Sequence, residues 1–200
     1  MKNKEQEVID MIMKLKELGY ADEKIVKDFE VKLLKLHNLK LSQFFPVNIK
    51  GTDVNAHGQV IIDSKDLEYN YIFARDVKEA DVEKSSQIII DSGDLDYNYK
   101  FAKDVKRANV RAHGKVIIDS GDLEYNYKFA KDVKRANVRA HGKVIINSGS
   151  IEYNEKFKLI EGSDIDAHVT AINNTKIQKC KESLNECLDS MIKEKVKVKK

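Results

Sequence analysis

Residues 88–115 read IIIDSGDLDYNYKFAKDVKRANVRAHGK, and residues 116–143 read VIIDSGDLEYNYKFAKDVKRANVRAHGK. They differ only at Ile88/Val116 and Asp96/Glu124, so the chain repeats with a period of 28 residues. A diverged copy, VIIDSKDLEYNYIFARDVKEADVEKSSQ, precedes them at 60–87, and half a copy, TDVNAHGQ, stands at 52–59. A worn fourth copy, VIINSGSIEYNEKFKLIEGSDIDAH, starts at Val144 and is one residue short between Phe157 and Asp164. Self-similarity at a fixed period of this length specifies stacked repeats, each burying its apolar face only against its neighbours.

The spacing inside one copy is helical. After Asn109, residues Val110, His113, Val116, Ile117 and Ser120 share one broad face; after Asp122, Leu123, Asn126, Phe129, Ala130 and Val133 do so. Both sets follow the three-four period of a helix and not the two-residue period of a strand. Asp66, Asp94, Asp122 and Ser150 stand before the second helix of each copy, and Asp53, Asp81, Asn109, Asn137 and Asp164 before the first. All are N-cap residues, whose side-chain oxygens accept from orphan first-turn N–H groups. Gly93, Gly121 and Gly149 precede the second caps, where a helix must end left-handed; Lys65 replaces glycine in the first copy and predicts a strained corner. Each copy thus predicts a helix A of about 10 residues and a helix B of about 12, too short to stand alone. The tyrosine pairs, Tyr69/Tyr71, Tyr97/Tyr99 and Tyr125/Tyr127, flank the apolar face of helix B and are expected to pack on adjacent copies.

The expected architecture is all-α: an α-solenoid, right- or left-handed, of helix–turn–helix repeats over 52–171. A helical N-terminal cap (1–45) and a C-terminal helix with a basic tail (172–200) flank it. Residues 3–18 predict a helix with Val8, Met11, Ile12, Leu15 and Leu18 on one side, stopped at Gly19. A second helix from Ala21–Asp22 is expected to bury Ile25, Val26, Phe29, Leu33, Leu34 and Leu36, and to run on through Val31–His37. LSQFFPVNIKG (41–51) reads as a linker, with Phe44 and Phe45 plugging the gap ahead of the first repeat. From Thr175 a helix carries Ile177, Cys180, Leu184, Cys187, Leu188 and Met191 at three-four spacing. It is expected to cover the last repeat, the competing reading being a dimer seam with a second copy.

Composition narrows the class. No apolar run reaches 18 residues, which excludes a membrane-spanning helix of the usual length. The charged start MKNKEQEVID lacks the apolar stretch of a signal peptide, and the expected location is cytoplasmic. Cys180 and Cys187, about 10 Å apart by helical rise, are too distant for a disulfide with each other. A net charge of +3 does not by itself imply nucleic acid.

The pattern YNYxFAxDVxxAxxxAxxxxIIxS, over roughly 52–168, resembles short helical repeats of uncharacterised proteins from low-GC bacteria and their phages. The resemblance implies an α-helical repeat fold and carries no activity or catalytic residues. A second resemblance is shorter. LGYADEKIVKDFEV (18–31) is similar to the opening of bacterial helix-turn-helix motifs, but Glu30 stands where a glycine turn is usual before the DNA-reading helix.

The residues that could carry chemistry are themselves repeated. His57, His113, His141 and His168 recur at one place on helix A. Neighbouring helices pack 8–10 Å apart, whereas zinc needs nitrogens about 2 Å away, so the expectation is core histidines bonded to a neighbouring repeat, with no metal. Asn70, Asn98, Asn126 and Asn154 fall on the core face and must be satisfied there. The acid pairs Asp91/Asp94 and Asp119/Asp122 recur with each copy, as structural residues do. No glycine-rich phosphate loop or nucleophile–base pair stands out, and neither an enzyme nor a cofactor is expected. The remaining signal is charge. Residues 88–115 and 116–143 each carry six cations and four acids, and 60–87 carries four cations and seven acids. Lys100, Lys103, Arg107 and Arg111, with Lys128, Lys131, Arg135 and Arg139, form the candidate binding stripe. The function read from this is a non-catalytic protein-binding scaffold, an adaptor or inhibitor of a partner with an acidic surface; the alternative is a nucleic-acid binder using the stripe.

Overall fold

The computed structural model describes residues 4–19 and 23–198, with the side chains of 23, 25 and 194–198 left aside. Among the described residues it is all-α. Twelve helices follow one another with consecutive pairs in contact, as in a helical-repeat solenoid. They are α1 (Lys4–Glu17), α2 (Glu23–Leu34), α3 (Leu39–Asn48), α4 (Val54–Ser64), α5 (Leu67–Asp76), α6 (Val82–Ser92), α7 (Leu95–Asp104), α8 (Val110–Ser120), α9 (Leu123–Asp132), α10 (Val138–Ser148), α11 (Ile151–Phe157) and α12 (Ile165–Val198). By internal contacts the chain divides into two compact units, residues 1–116 and 117–200, the division falling inside α8.

The expected caps form. Asp53, Asp66, Asp81 and Asp94 each accept from the N–H three residues on, as do Asn109, Asp122, Asn137, Ser150 and Asp164. Each is worth about 1 kcal/mol against alanine. Gly93, Gly121 and Gly149 are left-handed, and Lys65 is held left-handed at φ 56°, at a cost that glycine avoids. Helix A comes out at 11 residues and helix B at 10, reversing the expected order of lengths. Helix B stops early because Val77, Val105 and Val133 turn to extended backbone as C-caps and bury their side chains in the connection.

The first unit holds two corrections. Residues 41–51 are not a linker: α3 occupies Leu39–Asn48, capped by Asn38, with Phe45 and Leu41 in the core. Asn38, Phe45, Ile49 and Asp53 lie one 28-residue period before Asp66, Phe73, Val77 and Asp81, so α3 is a helix B. The turn after its partner α2 closes at His37, left-handed at φ 48° one period before Lys65. Hence α2 and α3 are a further, diverged repeat. The second correction concerns side chains. Met11 and Leu18 on and beyond α1, and Phe29 and Leu36 on and beyond α2, are exposed; Ile9, Ile12, Val26 and Leu33 form the core with Leu41, Phe45 and Ile49. The buried face of α2 includes Glu30, an acid at i+4 from Val26 and three residues before Leu33 on the same helical face. The expected Ile25 lies outside the described side chains, and the helix-turn-helix resemblance runs partly over residues outside the description. Residues 23–31 of that stretch lie on the single helix α2.

In each unit A helices pack on A helices and B on B: α4 on α6 and α5 on α7 in the first, α10 on α12 and α9 on α11 in the second. Tyr97 meets Tyr71 of the preceding copy edge-on at 6.3 Å, and the Tyr71 hydroxyl donates to Asp104 of the next at 2.7 Å. In the second unit the C-terminal element begins earlier than expected. Ile165–Val198 is one continuous helix. It docks through His168 and Ile172, and Thr175 donates to the Gly149 carbonyl; every described side chain from Lys176 to Lys193 is exposed. So the stretch beyond Thr175 does not cover the last repeat. Among the described residues, no helix is long and apolar enough to cross a membrane.

Candidate functional site

The buried polar residues are committed to the fold. Asn98 donates from Nδ2 to the carbonyls of Ile89 and Asp94 at 2.9 and 2.7 Å, so its Oδ1 is left to accept. The His113 Nδ1–H donates to that oxygen at 2.8 Å. Nε2 is then the bare nitrogen, and the Ser86 hydroxyl donates to it at 2.9 Å. In the second unit Asn126 and Asn154 repeat the two carbonyl bonds and accept from His141 and His168 at 2.8 and 2.6 Å. Each imidazole lies against a phenylalanine, with ring centres 4.9–5.0 Å apart for Phe101, Phe129 and Phe157. Burial pushes His57, His113 and His141 down to about 4 and lowers His168 as well. Among the described residues no group of three His, Cys, Asp or Glu is placed to hold a metal ion.

Grooves open to a partner lie between successive A helices, and one of about 480 Å³ lies between the B helices α9 and α11. In the first unit a groove of about 460 Å³ lies between α6 and the start of α8; Val82, Ile90 and Ala112 supply its apolar lining, and Asp81, Glu83 and Arg107 are charged residues along it. In the second unit a groove of about 520 Å³ lies between α10 and the start of α12. Its Val138, Ile146 and Ala167 occupy the repeat positions of Val82, Ile90 and Ala112. The same groove is thus built twice, with different charge. Arg139 and Lys143 stand where Glu83 and Gln87 stand in the first.

Of the eight-residue stripe, Arg107 and Arg139 line the A-helix grooves and the other six lie elsewhere. Lys100 pairs with Asp96 at 2.6 Å and lies over the Tyr97 ring; Lys103 lies over Tyr99 and donates to its hydroxyl at 3.1 Å. Lys128 pairs with Glu124 at 2.5 Å over Tyr125, and Lys131 lies over Tyr127. Arg107 donates back to the Ala80 and Lys78 carbonyls at 3.0 and 3.3 Å, clamping the connection one repeat earlier. Arg135 sits exposed in the α9–α10 connection with a left-handed backbone. Arg111 is exposed on the first turn of α8, and Arg139 lines the groove of the second unit. Sequence reasoning placed the cations by helical face. It did not find the groove residues Val82, Glu83, Val138 and Lys143.

Compared with known protein families, curated proteins and solved structures, the chain matches none. Its functional reading therefore rests on its own residues.

Proposed function

We propose that this chain is a non-catalytic protein-binding scaffold, an adaptor or inhibitor that receives partner side chains in the grooves between its A helices. The observation that supports this is the twice-built groove: an apolar lining with a charged rim is the anatomy of a protein interface with anchor pockets. The rim of Arg139 and Lys143 suits an acidic partner surface in the second unit. The nucleic-acid reading needs its cations presented together to phosphates. It is weakened where Lys100 and Lys128 already face acids and Arg107 faces carbonyls.

The test is affinity capture with the full chain, with and without nuclease, beside Ile146→Asp and the charge reversal Arg139→Glu/Lys143→Glu. Thermal melts come first, to show that the variants stay folded. A nuclease-resistant partner lost with Ile146→Asp and weakened by the reversal supports the groove. Nuclease-sensitive material, with log affinity falling steeply against log salt, favours the runner-up. A partner that binds both variants normally overturns the groove reading.

A further inference from the structure

The stretch of α12 beyond Thr175 is a helix of more than twenty residues whose described side chains are all exposed. Its polar residues do not surround it evenly. Ile177, Cys180, Leu184, Cys187 and Met191 fall at alternating intervals of three and four, the a and d positions of a heptad, and Leu188 adjoins them. Ile177, Leu184, Leu188 and Met191 are 53%, 60%, 47% and 57% exposed, and both cysteines are exposed. A solitary helix of this length is marginal in water without cover for its apolar stripe.

We propose that this stripe is the seam of a parallel two-stranded association with a second copy of the same chain. Parallel, in-register pairing sets each of the five positions against itself and gives five uninterrupted apolar layers. Antiparallel pairing of a with d positions keeps four at most and brings Glu194 or Asn173 into the seam. The ten facing side chains would together remove roughly 1,000 Å² from solvent, the foot of the range for a specific interface. Lys176 of one copy meets Lys181 of the other, a like-charge contact at the solvent rim that keeps the association weak. The two thiols report the geometry: only the parallel register sets Cys180 against its own counterpart, and Cys187 likewise.

Two measurements on the full chain test this. Sedimentation equilibrium over micromolar to hundred-micromolar concentrations is expected to show reversible dimers. Leu184→Asp should raise the dissociation constant at least tenfold while leaving the thermal melt of the repeats unchanged, because Leu184 touches none of them. Oxidised glutathione, with which two thiols form one protein disulfide and release two reduced glutathiones, is expected to link Cys180 to Cys180 and Cys187 to Cys187. A chain that stays monomeric at every concentration overturns the proposal, as does a dimer indifferent to Leu184→Asp. Cross-links joining Cys180 to Cys187 overturn the parallel register.

Discussion

Two registers of the first unit carry the same buried slots with different contents. In one, Asn98, His113 and Ser86 satisfy one another. Two periods earlier, Ser42 stands in the place of Asn98, His57 in that of His113 and Glu30 in that of Ser86. Ser42 Oγ and both His57 nitrogens have no hydrogen-bond partner there. The Glu30 carboxylate, which accepts from the Asp53 N–H at 2.6 Å, lies 3.3 Å from His57 Nε2 without the alignment of a hydrogen bond. The register between them fails the other way: Asn70 is kept, Ser85 replaces the histidine, and Asn70 Oδ1 is orphaned. The asparagine and the histidine are therefore worth having only as a pair. Changing one leaves its partner buried and unsatisfied, which costs about 1–3 kcal/mol.

Acid should break this arrangement most strongly. An imidazole held near 4 in the fold and at 6.5 unfolded takes up its proton on unfolding. Its contribution is complete above pH 6.5 and is lost as the pH falls toward 4. Each such shift corresponds to about 3 kcal/mol, so three of them are comparable with the whole stability of a small domain, about 5–15 kcal/mol. Glu30 works in the opposite sense: burial raises its pKa, so its contribution is held at low pH and declines as the pH rises through that raised value. The histidines outnumber it. Denaturant melts between pH 7 and 4 are expected to show stability dropping steadily below pH 6.5. A flat profile would mean that the imidazoles are not kept neutral.

Next in size is the direct comparison of Asn98→Ala with Ser42→Ala. Removing Asn98 strips the His113 Nδ1–H of its partner and leaves the Ile89 carbonyl with the Ser92 hydroxyl, and should cost about 2 kcal/mol. Removing the Ser42 hydroxyl, which has no partner, should cost well under 1 kcal/mol. Equal losses in urea titrations would show that the two registers are not different in kind.

The same contrast explains what could be read in the residues. The period, the caps and the burial of Asn98 and His113 were legible because they are written three or four times. The pair α2/α3 was not, because Ser42, Pro46 and His37 replace the asparagine, the alanine and the glycine that mark the pattern, and Pro46 reads as a helix breaker. It is tolerated inside α3 although its missing N–H leaves the Ser42 carbonyl without a helical donor. The run of α12 through Thr175 was equally hidden, since no residue between Ile172 and Ile177 stops a helix, and only packing shows where docking ends. The candidate stripe was legible as charge but not as a site. Whether a lysine faces solvent, an acid or a tyrosine ring depends on neighbours four residues away and on the rotamer.

Repair gives a smaller effect of opposite sign. Ser42→Asn should place an amide where Asn98 has one, with Oδ1 toward His57 Nδ1 and Nδ2 toward the Leu33 and Asn38 carbonyls, one and two periods behind their counterparts in α4 and α6. A gain of about 1 kcal/mol is expected. A loss would show that the slot around Ser42 is too small for an amide.

The smallest effect is expected at Gly142, and its sign rests on a precedent within the chain. His168 Nε2 and His141 Nε2 are buried without a partner, whereas His113 Nε2 receives the Ser86 hydroxyl. Gly142 occupies the repeat position of Ser86, two periods on. A Cβ built there would lie 3.2 Å from His168 Nε2 and 3.1 Å from the Phe157 ring, tight enough that the neighbours must yield by a few tenths of an ångström. Ser86 shows that this helix position accepts a serine with its hydroxyl on the histidine. Gly142→Ser therefore gains a hydrogen bond and relieves the entropy of a mid-helix glycine, and loses part of both to crowding against Phe157. The expected sum is a stabilisation of a few tenths of a kcal/mol, read as a small rise in urea midpoint. Gly142→Ala is the control, with the same Cβ and no hydroxyl. It should be the less stable of the two, and an alanine variant equal to the serine variant would mean that the hydroxyl does not reach His168.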